Sequence, residues 1–522
     1  MLYANLTLYA NLLLRMKMKL FGRLCCLVLF LGALISTTTY AANERKIVVD
    51  EQQITKHSTK INGKRIKYTA TTGTQPVWNK TGDATATLFY TYYQRTDIED
   101  NSKRPLLISF NGGPGSASVW MHVAYTGPRV LNVDDEGYPL QPYGVKTNPY
   151  SILDVADIVF VNPVNTGYSR VLPNKDGKMP AKDKQKAMFF GVNADVEYLA
   201  EWLTTFVTRN NRWRSPKYLI GESYGTTRVS GLALALQQQQ WMYINGVILV
   251  SPTDIGIKRE GPVKSANRLP YFAAAAWYHK VLPSELQAKD LAELLPEVEQ
   301  FALNQYIPAL AKGGFIPDEE KQTIAKKVAR YSGLSLAAVL ANNLDIDNDF
   351  FWKELLRTRK KTIGRLDSRY LGIDKKTAGT KPDYNAELTS WLHSFTPAIN
   401  YYLREELAYK TDIKYSMFGD VHPWDRTNNN TGENLRLAMA QNPYLNVMFQ
   451  AGYYDGATNY FDAKYTMWQL DPSGQMRERL SFKGYRSGHM MYLRHEDLQQ
   501  ANQDIREFIN KSLPENGQAA KY

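Results

Sequence analysis

Residues Tyr218–Thr227 read "YLIGESYGTT" and place a serine, Ser223, between two patterns of different period. The apolar run before it, Tyr218–Gly221, is typical of a buried β-strand, whereas "TTRVSGLALALQQQQ" after it can continue as a helix. A serine on a sharp turn between a strand and a helix, within a G-x-S-x-G pentapeptide, is exposed for nucleophilic attack. The same pentapeptide also occurs by chance, so the remaining sequence has to supply a matching sheet and catalytic partners.

Short apolar runs elsewhere in the chain predict the other strands. Each run is apolar throughout, as expected of a strand that is buried on both faces of a parallel sheet. The predicted strands are Leu106–Phe110, Asp157–Asn162, Tyr218–Gly221, Gly246–Val250 and Leu445–Gln450. Before them, Ala86–Tyr93 ("ATLFYTYY") alternates and predicts an antiparallel beginning of the sheet. Apolar residues at helical spacing from Val196 to Phe206 should pack on the sheet. The predicted fold class is therefore α/β, with a mostly parallel central sheet flanked by helices.

The composition changes between the fourth and the fifth predicted strand. Residues 257–435 are charged and helix-forming, with Ser284 and Asp318 as candidate helix N-caps. We interpret this segment as a largely helical cap inserted into the core, because the strand pattern resumes at Leu445; a separate second domain is the alternative. The predicted parts are a signal peptide (1–42), the N-terminal part of the core (43–256), the cap insertion (257–435) and the C-terminal part of the core (436–522).

The first 42 residues have the layout of a secretory signal. Four basic residues precede an apolar core, Leu24–Ile35, and small residues that end at Ala42 provide a cleavage region. The apolar core is shorter than the roughly 20 residues that a membrane-spanning helix needs, although a retained anchor is the alternative. We expect an exported protein, periplasmic or secreted, with no integral membrane span after removal of the signal.

Cysteine usage and charge exclude several classes of function. Both cysteines, Cys25 and Cys26, lie in the signal segment, so the mature chain has no disulfide and no cysteine nucleophile or metal ligand. The chain has 63 basic and 51 acidic residues, and four of the basic ones leave with the signal, so the mature net charge is +8. No run of five or six like charges and no arginine-aromatic array indicates nucleic-acid binding. Because no metal-ligand spacing or phosphate loop is visible, we expect no metal and no cofactor.

A serine nucleophile requires a base, and the base requires a third group that orients it. In an α/β-hydrolase sheet these partners follow in the order serine, acid, histidine. Asp455, in "VMFQAGYYDGAT", comes directly after the strand predicted at Leu445–Gln450. His489, in "RSGHMMY", follows a glycine and is the favoured base, whereas His495 in "LRHED" is the alternative at a helix start. The predicted triad is Ser223, Asp455 and His489.

A tetrahedral intermediate also needs N–H donors for its oxyanion. The N–H of Tyr224 directly follows the serine, and the loop "SFNGGPGS" (Ser109–Ser116) follows the first buried strand. Glycines in this loop allow the backbone to approach a ligand without a Cβ in the way. The sequence therefore predicts an oxyanion hole between this loop and Tyr224.

Taken together, these motifs resemble the serine carboxypeptidase family of α/β-hydrolases. The similarity runs through "NGGPGSAS", "TGPRVL", "NPYSILDVADIVFVNPVNTGYS", "GESYG", "AGYYDGAT" and "GHMMY", in that order. The resemblance implies Ser223 as nucleophile, His489 as base and Asp455 as orienting acid. It also implies that Gly113 and Tyr224 supply the oxyanion N–H groups.

The resemblance further implies a site for the C-terminal carboxylate of a peptide. Asn111 and Glu222 match two members of the hydrogen-bonded set that holds this carboxylate in the family. The third member, a glutamate, is replaced by Tyr125, and the family's usual tryptophan and cysteine are replaced by Ser109 and Ser116. Paired carboxyls can share a proton and so favour an anionic substrate at acidic pH. With Tyr125 in place of one carboxyl, we expect a weaker preference for acid conditions.

These features predict an exported serine carboxypeptidase that acts on peptides through an acyl-enzyme. An esterase, amidase or acyltransferase that uses the same triad on small molecules is the alternative, favoured by the departures at Tyr125 and Ser109. A non-catalytic binding protein on this fold is a third hypothesis, because function belongs to the site and not to the fold.

Overall fold

The structure is a computed structural model that describes residues 45–427, 429–514, 518–519 and 521. The predicted signal peptide, residues 1–42, lies outside the described residues. Residues Ile47–Tyr522 form one compact unit that holds every strand and helix described below. In the part of the chain that the structure describes, no helix is both long and apolar enough to cross a membrane.

Ten strands form the central sheet, and four more form two short hairpin-like pairs. In chain order the strands are β1 (Glu51–Ile61), β2 (Lys64–Trp78), β3 (Ala84–Arg95), β4 (Leu106–Phe110), β5 (Arg129–Leu131), β6 (Val145–Thr147), β7 (Asp157–Val161), β8 (Arg170–Val171), β9 (Lys217–Glu222), β10 (Gly246–Val250), β11 (Thr362–Ile363), β12 (Leu371–Gly372), β13 (Asn446–Gly452) and β14 (Leu480–Tyr485).

The order across the central sheet is β1-β2-β3-β7-β4-β9-β10-β13-β14, and β8 pairs with β3. From β7 to β14 all neighbouring strands are parallel, whereas β1, β2 and β3 are antiparallel. This confirms the predicted mostly parallel sheet with an antiparallel beginning, in the architecture of an α/β-hydrolase. The edge strand β14 was not predicted, because its residues are half-buried and carry no continuous apolar run.

The helices pack on both faces of the sheet and fill the connection between β10 and β13. They are α1 (Val119–His122), α2 (Lys182–Phe189), α3 (Val192–Arg209), α4 (Tyr224–Gln239), α5 (Pro262–Ala266), α6 (Leu269–Tyr278), α7 (Ser284–Gln287), α8 (Leu291–Phe301), α9 (Ile307–Ala311), α10 (Asp318–Ser332), α11 (Leu336–Ala341), α12 (Asn348–Glu354), α13 (Ala386–Tyr401), α14 (Thr431–Gln441), α15 (Tyr460–Leu470) and α16 (His495–Ser512).

Alternating residues of the buried strands serve two separate cores. In β4, Leu106 and Ile108 belong to the apolar cluster that contains Trp202 of α3, whereas Leu107 belongs to the cluster that contains Phe508 of α16. Successive side chains of a strand point to opposite faces, so both faces must be apolar when helices cover both. This is why the parallel strands read as continuous apolar runs in the sequence.

A third apolar cluster lies in the connection between β10 and β13, where the chain leaves the sheet after Val250 and returns at Asn446 beside it. The N-caps predicted here are wrong: Pro283 and Pro317 hold the extended N-cap positions of α7 and α10. Ser284 and Asp318 are the first helical residues, one position too late for the side chain to cap a free N–H. The boundaries of the predicted cap insertion remain a prediction.

The parallel strands bring four distant loops to one edge of the sheet. Directly after the carboxyl ends of β4, β9, β13 and β14 come Asn111, Ser223, the turn with Asp455 and the loop with His489. Open α/β sheets bind ligands at this edge.

Candidate active site

The turn between β9 and α4 holds Ser223 in a strained conformation, with φ 58° and ψ −125°. A non-glycine residue at positive φ is uncommon and persists only where the surroundings enforce it. The flanking glycines make the turn possible, because a Cβ at Gly221 would lie 2.1 Å from the Gly225 carbonyl oxygen. A Cβ at Gly225 would in turn lie 2.7 Å from the carbonyl oxygen of Phe110 in β4. The G-x-S-x-G pattern is thus a packing requirement of this turn.

Asp455 orients the imidazole of His489. The two side chains meet at 2.6 Å between Nδ1 of His489 and Oδ2 of Asp455, and Asp455 is fully buried. The other carboxylate oxygen accepts the N–H groups of Ala457 at 2.8 Å and Thr458 at 3.1 Å. The Thr458 hydroxyl also donates to Asp455 Oδ2 at 2.8 Å. The carboxylate is held on all sides, so it can fix the position and tautomer of the histidine.

The charge of Asp455 changes the basicity of His489. Burial alone would lower the pKa of His489, but the Asp455 carboxylate and its hydrogen bond outweigh burial and raise the pKa above the ordinary value. A raised pKa makes the neutral imidazole a stronger proton acceptor, as a general base requires.

The loop that follows β11 supports both the acid and the base. The N–H of His489 donates to the Leu366 carbonyl at 2.7 Å, and the N–H of Gly456 donates to the Arg365 carbonyl at 3.0 Å. The approach is close, because a Cβ at Gly488 would lie 2.5 Å from the Asp367 side chain. The glycine before His489 is therefore needed for this contact.

Ser223 and His489 line one cavity of about 370 Å³, together with Glu222 and the glycines after β4. Within the described residues no hydrogen bond joins the Ser223 hydroxyl to His489. Catalytic hydrogen bonds are often long without substrate and tighten in the complex, so the shared cavity is compatible with proton transfer between them.

The predicted oxyanion donors lie side by side at this cavity. A Cβ at Gly112 would lie 2.4 Å from the Tyr224 amide nitrogen, so the glycine loop packs directly on the nucleophile turn. Among the described residues, the N–H groups of Gly113 and Tyr224 have no acceptor in the protein. Two free N–H groups beside the nucleophile can stabilise the negative charge of a tetrahedral intermediate.

A buried ion pair under the glycine loop was missed by the sequence reasoning. Arg228 of α4 donates to the carbonyl oxygens of Asn111 at 2.6 Å and Pro114 at 3.2 Å. Its guanidinium pairs with Asp195 at 2.7 Å, and both residues are fully buried. An arginine inside the otherwise small and apolar helix sequence "TTRVSGLALAL" is the signal that could have indicated it. The pair therefore fixes the backbone of the predicted oxyanion loop at Asn111 and Pro114.

The side-chain amide of Asn111 is buried close to Glu222 and Tyr492 and acts to lower the pKa of both. Its Oδ1 accepts the N–H of Met121 at 3.1 Å, which fixes the orientation of the amide. Its Nδ2 is buried and makes no hydrogen bond of ordinary geometry to any described residue. A buried unpaired donor is costly, so such a group calls for a partner.

Glu222 lies next to this free donor, and its carboxyl Oε2 accepts the hydroxyl of Tyr492. Burial raises the pKa of Glu222 to about 7, although nearby His489 and the Tyr492 hydrogen bond act to lower it. Glu222 is therefore protonated in mildly acidic solution and can act there as a donor.

Tyr125 does not contact the Glu222 carboxyl through its hydroxyl. The Tyr125 hydroxyl donates to Gln450 Oε1 at 2.7 Å, and its ring stacks on Tyr492 with 4.6 Å between centroids and 12° between planes. Tyr492 thus takes the place beside Glu222, which the sequence reasoning missed.

The other departures from the family pattern lie close to the cavity. Ser109 is fully buried in β4, and Ser116 accepts a hydrogen bond at 2.7 Å from the indole of Trp120, which lines the cavity. The alternative base His495 is exposed and bonds Tyr150 at 3.1 Å, away from Asp455. In the described ranges no group of three or more His, Cys, Asp or Glu side chains is arranged to hold a metal.

Fold and site together define an α/β-hydrolase with a Ser–His–Asp arrangement at the carboxyl edge of its sheet. A family model described as serine carboxypeptidase matches residues 72–477, so the chain belongs to the serine carboxypeptidase family.

Two relatives and one solved structure illustrate the similarity. Serine carboxypeptidase-like 36 of Arabidopsis thaliana is 29% identical over 169 residues, which are 32% of each chain. Serine carboxypeptidase-like 29 of the same plant is 30% identical over 151 residues, 28% of each chain. The match therefore spans about a third of the length of these relatives. The crystal structure of Kex1Δp, a prohormone-processing carboxypeptidase from Saccharomyces cerevisiae, is 15% identical and has a TM-score of 0.49, covering 85% of this chain and 92% of that one.

Proposed function

We propose that this protein is a serine carboxypeptidase that releases the C-terminal residue of peptides through an acyl-enzyme. The observation that carries the proposal is the pairing of two functions in one cavity. Ser223 and Glu222, whose pKa burial raises to about 7, line this cavity, and Asn111, directly before the cavity's glycines, has a buried amide nitrogen that makes no hydrogen bond of ordinary geometry to a described residue. An esterase for small neutral substrates has no use for two such groups.

Acyl transfer begins when the Ser223 hydroxyl attacks the scissile carbonyl carbon and His489 Nε2 takes its proton. Asp455 stabilises the imidazolium, and the N–H groups of Gly113 and Tyr224 receive the oxyanion. The C–N bond then breaks, and His489 gives its proton to the departing amine. A water molecule attacks the resulting ester in the same way, and the proton returns through His489 to Ser223.

The C-terminal carboxylate of the substrate would accept hydrogen bonds from Asn111 Nδ2 and from protonated Glu222. Charge-assisted bonds of this kind are the strong ones, and they place the last peptide bond at the nucleophile. A substrate without a free carboxylate would lose this positioning.

We also propose that the protein is exported, on the basis of the signal-like layout of residues 1–42. Expression in a bacterial host followed by fractionation and N-terminal sequencing of the mature chain tests this. A mature chain that starts close to Asn43 is expected, whereas a full-length chain in the membrane fraction would indicate a retained anchor.

The activity is tested with one blocked dipeptide presented as free acid, as C-terminal amide and as aryl ester. At pH 6 we expect kcat/KM to be higher for the free acid than for the amide. Ser223→Ala should lower the rate on all three substrates by at least about 10⁴-fold. Labelling by a fluorophosphonate should disappear in the same variant. Preference for the ester with no cleavage of the free acid would favour the esterase hypothesis, and a folded protein that never labels would favour a binding protein.

A further inference from the structure

Tyr492 lies only three residues after His489, in the short turn Met491–Leu493, so one segment carries both the base and the partner of Glu222. Tyr492 is 1% exposed, and its hydroxyl donates to Oε2 of Glu222. The side-chain amide of Asn111 also acts on Glu222 through a hydrogen bond, and Glu222 itself lines the cavity.

The ring of Tyr492 cannot turn away, because it stacks on Tyr125. The Tyr125 hydroxyl is itself engaged by Gln450, whose amide donates to the Tyr485 hydroxyl at 2.8 Å. Tyr485 in turn donates to Asp504 at 2.8 Å. A continuous set of hydrogen bonds therefore holds the Tyr125 side of the stack.

The groups that face Glu222 differ in what they do with a proton. His489 and Asp455 act on Glu222 through their charges, while Tyr492 and Asn111 act through side-chain hydrogen bonds. Burial and the neighbouring Glu222 carboxylate raise the pKa of Tyr492 well above 10, so Tyr492 remains a neutral donor at every working pH. A second carboxyl in this place would compete for the proton, but a tyrosine does not.

We propose that Tyr492 is a positioning residue for Glu222, and that the stacked pair Tyr125–Tyr492 replaces a second carboxyl in the recognition of the substrate's C-terminal carboxylate. This inference rests on the proposed carboxypeptidase function. Glu222 then titrates as a single group, held in place by the Tyr492 hydroxyl.

Tyr492→Phe tests the proposal, because it removes the hydroxyl and keeps the stack. We expect KM for the free-acid dipeptide to rise about 5- to 10-fold at pH 6 with little change in kcat, as for the loss of one hydrogen bond that positions the carboxyl. Loss of the donor also disfavours ionised Glu222 and so raises its pKa. The alkaline limb, which is the fall in kcat/KM for the free acid as Glu222 loses its proton, should therefore move up by about half to one pH unit. The aryl ester, which has no carboxylate, should show neither effect.

The matched variant is Tyr125→Phe, which removes the other hydroxyl of the stack, the one bonded to Gln450. It should move the alkaline limb less than Tyr492→Phe does, because the Tyr492 hydroxyl still donates to Glu222. Incorporation of 3,5-difluorotyrosine at position 492 provides a second test, since a more acidic phenol is a stronger donor and should move the limb to lower pH. Thermal unfolding and fluorophosphonate labelling establish that each variant is folded.

The proposal is overturned if the limb stays in place in Tyr492→Phe and in the fluorinated protein, or if Tyr125→Phe moves it equally. It is also overturned, together with the proposed function, if the wild-type protein cleaves the ester but never the free acid. The two failures are thus distinguished by the wild-type activity alone.

Discussion

The two halves of the active-site cavity are built in opposite ways. On the catalytic side, both oxygens of Asp455 and Nδ1 of His489 find partners inside the protein. On the recognition side, Asn111 Nδ2 is buried without a hydrogen bond of ordinary geometry to any described residue. Buried polar groups are normally paired, and an exception requires an explanation. Groups that must keep one geometry are saturated by the protein, whereas groups that await a ligand keep a bonding position open.

The pKa values of the two halves are raised for different reasons. At His489 the effect of the Asp455 carboxylate is larger than that of burial, so the protonated imidazolium is stabilised and the pKa is raised. Burial dominates at Glu222, so charge there is disfavoured. In the proposed mechanism, His489 is thus suited to a positive charge that forms during the reaction, and protonated Glu222 to the negative charge of a substrate carboxylate.

The largest expected effect comes from breaking the catalytic side at its acid. Asp455→Asn keeps the size of the side chain but disturbs the tautomer and the charge that His489 needs, and kcat should fall by about 10⁴-fold. The free acid, the amide and the ester should lose activity to a similar degree, measured in parallel assays. A loss confined to the free acid would contradict the division into two halves.

The buried ion pair Arg228–Asp195, which holds the loop of Asn111 and the oxyanion glycines, should contribute to stability. Arg228→Gln leaves the buried carboxylate of Asp195 without its cation, and breaking a buried pair in this way costs about 3–5 kcal/mol. Urea unfolding measures the change. The double variant Arg228→Gln, Asp195→Asn removes both charges and should recover part of the loss; equal stability of the two variants would mean that the ion pair itself contributes nothing.

The recognition side should fail selectively. Asn111→Ala removes the free donor, and kcat/KM for the free-acid dipeptide should fall about 10- to 100-fold, as for a hydrogen bond to a charged group. The aryl ester, measured in the same preparation, should change less than about threefold because it has no carboxylate to position. Equal losses on both substrates would place Asn111 on the catalytic side, as a support of the oxyanion loop.

The most gradual effect should appear in the pH profiles. His489 must be neutral to act, so both substrates lose activity as the pH falls below its raised pKa. Glu222 must be protonated to bind a carboxylate, so only the free acid loses activity above about pH 7, by up to about tenfold per pH unit. Rates between pH 4 and 9 on the free acid and the ester measure both limbs. Collapse of free-acid cleavage above roughly pH 6 would contradict the assignment and indicate a shared proton.

Local patterns in the sequence were sufficient for the frame of the molecule. The strands predicted at Leu106–Phe110 and Gly246–Val250 have the predicted bounds, because burial on both faces leaves a continuous apolar run. The nucleophile turn was equally visible, since steric contact demands Gly221 and Gly225. The edge strand β14 could not be recognised in the sequence, because a half-buried strand has no continuous run of apolar residues.

Long-range partners within the site could not be predicted. Tyr492 lies 270 residues from Glu222, and Arg228 lies 117 residues from Asn111. No spacing rule links such positions, because the sheet and the connection between β10 and β13 bring them together only in three dimensions. Tyr125 could be recognised as a departure from the family, but its stacking on Tyr492 depended on the fold.

The loop after β11 limits how this protein can be re-engineered. Its carbonyl groups at Arg365 and Leu366 hold the backbone of the acid and base loops, although it belongs to the segment between β10 and β13. That segment is therefore not an interchangeable module. A chimaera in which this segment is replaced by the corresponding region of another hydrolase has to retain residues 364–367. Without them, the backbone of His489 in the chimaera would lose its hydrogen bond to Leu366.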